Sequence, residues 1–302
     1  MPRKLELDGL KLDITAVEKL IDDALKYGDF VAEKLYLRKL EKLQKELINH
    51  DNEFVTNASV ALFFDGDAVH GSKGILASFA GHSLDNFQEL VNKVFAYKEN
   101  GELGSRGTIS NKASSNLMIT GVAKGSFGFI LDEVSDQIEI TETSLKVTLE
   151  EVIELISDTA SADENIFVSS IENIDQRILQ SLKNLFITLD KGKSCLRIVG
   201  DKKEYRLDSH SISLARRRTE ATKIDENEEA KNIVLIGQLP ESCKFEALDN
   251  GVLISGVTSK AAAKRLQMKK MNSTIKVKMI IKTVSSIYRS DKTVYKITEV
   301  YD

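Results

Sequence analysis

Apolar positions recur every three or four residues along the first fifty, and the period then drops to two. Val17, Leu20, Ile21, Ala24 and Leu25 predict a helix over 14–26, with Thr15 and Glu18 as a capping-box pair and Gly28 as its break. A longer helix is expected over 31–48. Its apolar positions Tyr36, Leu40, Leu43 and Leu47 are spaced 4, 3 and 4 apart, with Lys, Arg and Glu filling the rest. Together the two predict an antiparallel helical hairpin over residues 1–50. The stripe of Tyr36, Leu40, Leu43 and Leu47 either packs on the rest of the chain or forms an interface with a protein partner or a second copy.

Residues 51–218 mix both periods. Ala58 to Phe64 is a strand, Asp65-Gly66-Asp67 a turn, and Ala68 to His70 a second short strand. Ser83 is placed to cap a helix that carries Leu84, Phe87, Val91, Val94 and Phe95. A polar loop follows over 99–115, then strands over 117–123 and 127–134 around Lys124-Gly125-Ser126. Thr148 and Glu151 make a capping box before Val152, and a second helix carries Ile174, Ile178, Leu182, Leu185 and Leu189. A hairpin over 195–207 precedes a short helix that Asp208 caps and that ends near Arg216, Arg217 and Arg218. The polar stretch 219–230 is expected to be an acidic linker.

Residues 231–302 are compact in pattern. Three strands, a helix capped by Ser259 and two further strands follow one another, and Asp249-Asn250-Gly251 is a tight hairpin turn. The order β-β-β-α-β-β is that of a small five-stranded barrel and resembles the OB-fold, with an SH3-like barrel as the alternative. The fold class expected is therefore α+β: a helical hairpin and an α+β body followed by this barrel.

Composition narrows the class without naming an activity. The balance of 42% hydrophobic and 29% charged residues is that of a globular chain, and two prolines leave no room for a Pro-rich linker. The longest apolar runs, such as Val60 to Phe64, fall far short of the ~18 residues of a membrane span, so no membrane partner is expected. Residues 1–8 have no apolar core of a signal peptide, and Cys195 and Cys243 lie far apart, as buried thiols of a reducing compartment would. A cytoplasmic protein is the expectation.

The net charge of −4 hides a strong asymmetry. Residues 131–175 carry thirteen carboxylates and one Lys, whereas 228–302 carry thirteen Lys and Arg against eight carboxylates. Between Asn250 and Ser290 there are nine basic residues and no Asp or Glu: Lys260, Lys264, Arg265, Lys269, Lys270, Lys276, Lys278, Lys282 and Arg289. Lys276, Lys278 and Lys282 share one strand face by period two. Phosphates bind such surfaces by displacing counterions, and OB-like barrels hold single strands in basic grooves. The competing reading is a solvated outer face, or one docked on the chain's own acidic stretch.

The leading expectation is a non-enzymatic binding protein whose basic barrel contacts nucleic acid. The alternative is a protein-interaction or regulatory subunit that uses the helical hairpin and the 131–175 segment. A third reading is a metal-dependent enzyme built on Asp65, Asp67 and His70, where alternating carboxylates and an imidazole could share a cation. An ordinary hairpin turn explains those three residues as well, and His82 is the one further group that could approach them. No phosphate loop, dinucleotide fingerprint, nucleophile elbow or Cys-x-x-Cys pair is present, so no catalytic residue, metal ligand or cofactor is assigned.

Overall fold

The computed structural model describes residues 1–52, 55–100, 103, 112–123, 127–135, 140–172, 174–286 and 289–301, without the side chains of 51–52, 286 and 289–290. The Lys124-Gly125-Ser126 turn, most of the 99–115 loop and the Arg289 side chain lie outside these.

Two long helices open the chain, α1 (Arg3–Tyr27) and α2 (Phe30–Asn52). Gly28 joins them with φ +69°, a left-handed conformation that costs glycine little, and its N–H caps the end of α1. α1 starts eleven residues before the sequence pattern suggests, just after Pro2. Thr15 therefore caps nothing; it sits mid-helix and donates its hydroxyl to the Lys11 carbonyl.

The body is a five-stranded antiparallel sheet with helices over one face. Its strands are β1 (Ser59–Gly66), β2 (Met118–Ala123), β3 (Phe127–Asp132), β4 (Ser194–Val199) and β5 (Glu204–Leu207), in the order β2-β3-β1-β4-β5. Residues 68–70 add no strand; only Val69 bridges to Ile75. The helices are α3 (Ala77–Asn100), α4 (Ser144–Thr159), α5 (Glu164–Glu172), α6 (Gln176–Lys191) and α7 (Ser209–Ala221). Central β1 is buried on both faces. Val60, Leu62 and Phe64 face the helical core, while Ala61 and Phe63 join Ile130 and Val199 on the other side, where Leu5 of α1 packs. That two-sided burial explains the unbroken apolar run over 60–64.

The rest is a closed barrel of β6 (Thr222–Leu239), β7 (Lys244–Asp249), β8 (Val252–Thr258), β9 (Thr274–Ser286) and β10 (Arg289–Val300), with α8 (Lys260–Leu266) between β8 and β9. β6 pairs with β7 and β9, β7 with β8, and β10 with both β9 and, in parallel, β8. A first-to-fifth circuit of 1-2-3-5-4-1, with the helix after the third strand, is the OB arrangement. Ile233, Leu235, Phe245, Ile254, Val277, Met279 and Ile297 fill the barrel, and Ala262 and Leu266 of α8 close it.

One expectation about the junction is overturned. Residues 219–230 are not an irregular linker: they complete α7 and form the first half of β6, laddered to β9 from Thr222↔Ser286 onward. Ile224 and Val284 of this ribbon belong to the core of the body, not of the barrel. No helix of the described residues is long and apolar enough to cross a membrane.

Barrel closure rests on a close approach at Gly256, where a Cβ would stand 2.1 Å from the Tyr295 carbonyl oxygen. Gly256→Ala is expected to cost at least ~1–3 kcal/mol through forced separation of β8 and β10. Urea unfolding of the variant measures this, and an unchanged midpoint would refute the constraint.

Candidate functional site

The nine basic residues expected to form one surface divide into separate environments. On β9, burial alternates: Ile275, Val277 and Met279 point into the barrel, and Lys276 and Lys278 point out. Lys282 shares their outward face, as period two requires, yet it is only 7% exposed. The body covers that end of the face. Its ammonium donates to the carbonyl of Glu172, the last residue of α5, at 2.8 Å, and also to the carbonyl of Ile174. A cation suits the C-terminal end of a helix. Burial pushes this ammonium down to about 8, against the pull of Glu226 and Asp175. Lys282 is therefore withdrawn from any solvent-facing phosphate surface and fastens the barrel to the body.

Lys278 is spent differently. Its ammonium lies 2.6 Å from Glu228 of the neighbouring β6, and Glu299 of β10 also acts on it. The β6 residues laddered beside β9 carry the stretch Asp225 to Glu229, so an acidic strip runs alongside the basic one. What remains of the predicted set gathers at the α8 end of the barrel. Lys260 and Lys264 are exposed one helical turn apart. Arg265 donates to the Val300 carbonyl at 3.1 Å, and the Lys276 carbonyl accepts from Tyr301 N–H. Lys269 and Lys270 follow α8 directly. The Lys276 ammonium sits 5.7 Å from the ring centre of Tyr301, which is 37% exposed. Among the described residues, no carboxylate pairs with Lys260, Lys264, Arg265, Lys270 or Lys276.

The face on which OB barrels commonly bind oligonucleotides lies elsewhere, on the second and third strands. Here β7 and β8 present Lys244, Glu246, Leu253, Ser255 and Val257, and Phe245 is buried. A groove of about 580 Å³ runs along it past Leu239 and Gly256. One cation, one anion and no exposed aromatic ring make it a neutral surface.

The other candidates are placed plainly. Asp65 and Asp67 lie exposed at the end of β1, with Asp67 3.3 Å from Lys193, and His70 is exposed in the following turn. His82 is on α3, its Nδ1 2.6 Å from the Ser78 carbonyl. Among the described residues, no three His, Cys, Asp or Glu side chains converge as a metal site. Tyr36, Leu40, Leu43 and Leu47 are half-buried apolar positions of α2, and they lie on its seam with α1, where Leu10, Ile14, Val17 and Ile21 are the covered positions. Arg216 pairs with Asp190 at 2.6 Å. Arg218 is buried over the Phe167 ring and donates to the Ser161 carbonyl. Much of the acidic stretch is also matched within the chain, as in Glu151 with Lys98, Glu154 with Lys203 and Glu164 with Arg218.

Sequence reasoning missed the polar junction between the two parts. Asp175 caps α6 by accepting from Arg177 N–H at 2.6 Å, and burial raises its carboxyl above the usual range. Burial, then Glu226 and Asp175, raise the Tyr97 phenol, over whose ring Lys296 sits at 5.6 Å. Gln176 accepts from Ile224 N–H at 3.0 Å. No local pattern marks these groups, because they meet only when β6 and β9 cross the body. Comparison with protein-family models, with curated proteins and with solved structures finds no match to this chain.

Lys282 carries a pH signature. Its folded value near 8 lies below the ~10.4 of an unfolded lysine, so between them the unfolded chain holds more protons and this group's contribution to stability rises with pH. Relative to Lys282→Met, the wild-type chain is expected to gain stability as pH climbs from about 8 towards 10. Urea titrations of both across that range test it; a pH-independent difference would mean a solvated ammonium.

Proposed function

We propose that the chain is a binding protein whose barrel contacts nucleic acid through the α8 end. The observation that carries this reading is the set Lys260, Lys264, Arg265, Lys270 and Lys276: basic, exposed, and without a carboxylate partner among the described residues. Elsewhere on this barrel, Lys278, Lys231 and Lys292 have carboxylates of their own and Lys223 and Lys244 stand singly, so the α8 end is where several basic residues without a carboxylate partner among the described residues gather to attract an outside anion. Lysines on a short helix and its following turn reach phosphates rather than base edges, which favours contact without sequence preference. Tyr301 supplies one ring for stacking beside Lys276. The face of the second and third strands plays no part in this reading, since it lacks both net charge and exposed rings. A cytoplasmic setting belongs to the same proposal: Cys195 and Cys243 are free thiols, as a reducing compartment keeps them.

Five phosphate contacts imply a salt slope of about −3.5 on a single strand, or roughly a hundredfold weaker binding between about 50 and 200 mM salt. Fluorescence anisotropy with a labelled oligonucleotide measures the slope. Lys260→Glu, Lys264→Glu and Lys270→Glu together are expected to remove binding, and Lys244→Glu on the β7 face to leave it within twofold. Binding that survives the triple change, or that Lys244→Glu abolishes, would sink the reading.

A further inference from the structure

The helical hairpin buries little of its apolar surface. α1 and α2 pack on each other and reach the body at their base, where Arg3 N–H donates to Asp201, the Met1 amine meets Asp132 at 3.3 Å and Leu5 packs on the sheet. The seam between the helices uses one stripe of α1: Leu10, Ile14, Val17, Ile21 and Ala24. A second stripe lies about a third of a turn away and runs through Leu5, Gly9, Leu12, Ala16, Leu20, Asp23 and Tyr27, with Asp23 its one charged position. Among the described residues nothing covers most of it: Leu12 is 72% exposed, Leu20 41% and Tyr27 78%. Leu25, Phe30, Val31 and Leu35 near the tip are also more than half exposed. Exposed apolar surface gathered in this way marks an interaction site.

The second stripe is symmetric about one residue. Leu12 and Leu20 lie four positions either side of Ala16, and Leu5 and Tyr27 lie eleven either side. A two-fold axis at Ala16 would therefore lay the exposed middle of α1 antiparallel on its own copy, Leu12 against Leu20 and Gly9 against Asp23, while Leu5 stays packed on the sheet. That is what an isologous interface requires, the same patch meeting itself. Gly9 and Ala16 are small, which lets the two helices approach closely. The hairpin is electrically balanced, with ten basic and ten acidic residues in 1–50, so a second hairpin is not repelled. With both helices of each hairpin in contact, the area approaches that of a stable interface. A hairpin about 37 Å long and two helices, or about 20 Å, wide covers roughly 700 Å² per partner, against the ~800 Å² of a stable interface. We propose that the α1 stripe is a homodimer interface, in which two hairpins pack antiparallel into a four-helix bundle with Ala16 on the axis. The inference stands apart from nucleic-acid binding, since it involves the opposite end of the chain.

The test is cross-linking in a Cys195→Ser, Cys243→Ser background, paired with sedimentation of the wild-type chain. The wild type is expected to sediment as a dimer. Ala16→Cys is expected to give a covalent dimer in near-full yield on mild oxidation, and Glu18→Cys, which faces away from the stripe, almost none. Leu12→Lys with Leu20→Lys should yield a monomer whose helical circular dichroism is unchanged, which separates dissociation from unfolding. A monomeric wild type, equal cross-linking at positions 16 and 18, or a dimer that withstands the double lysine change would each overturn the proposal.

Discussion

The architecture turns on a two-stranded wall with different cores on its two sides. Alternate residues of a strand face opposite ways, so one strand can serve two interiors if it is long enough. β9 does this with Val277 and Met279 turned into the barrel and Val284 turned into the body. β6 does the same with Ile233 and Leu235 on one side and Ile224 on the other. Lys282 lies where this wall passes beneath the end of α5, and its ammonium donates to two carbonyl oxygens there. Replacing water around a cation by carbonyl groups is costly, and the lowered affinity of Lys282 for its proton records that cost. The position of the barrel relative to the helices follows from this crossing.

Charge along the chain looks polarised in the linear sequence and is partly matched in space. The acidic middle and the basic remainder meet through pairs such as Lys203 with Glu154, Arg218 with Glu164 and Lys292 with Glu172, and through the buried pair of Lys146 and Asp201 at 2.7 Å. Exposed pairs contribute little each to stability. Their effect here is subtractive: on the barrel they match Lys231, Lys278 and Lys292 and leave a cluster of positive charge without carboxylate partners among the described residues at the α8 end.

Much of the fold was legible in local pattern. The barrel strands could be read because tight turns such as Asp249-Asn250-Gly251 separate them, and Asp208 and Ser259 cap their helices as expected. Other boundaries slipped for one shared reason. Thr15 and Thr148 look like caps, but both sit mid-helix and donate to the carbonyl four residues back, while Thr143 caps α4. Ser83 is likewise interior to α3. The first half of β6 was misread as a linker because most of it is exposed on both faces, so no period-two signal survives. The site was half legible. Exposure of the α8 lysines follows from a short polar helix, whereas the burial of Lys282 depends on which distant element covers its face, and no local spacing encodes that.

The ribbon of β6 and β9 also has a mechanical meaning. A boundary between two parts usually falls in a loop, and such a loop acts as a hinge. Here the boundary falls inside paired strands, and a hydrogen-bonded ladder runs unbroken across it. The barrel cannot swing on the body without breaking ladder bonds and exposing Ile224 and Val284 together. The two parts therefore move as a single stiff lever, and a load applied at α8 is carried along the strands to the helices instead of being lost in a flexible joint.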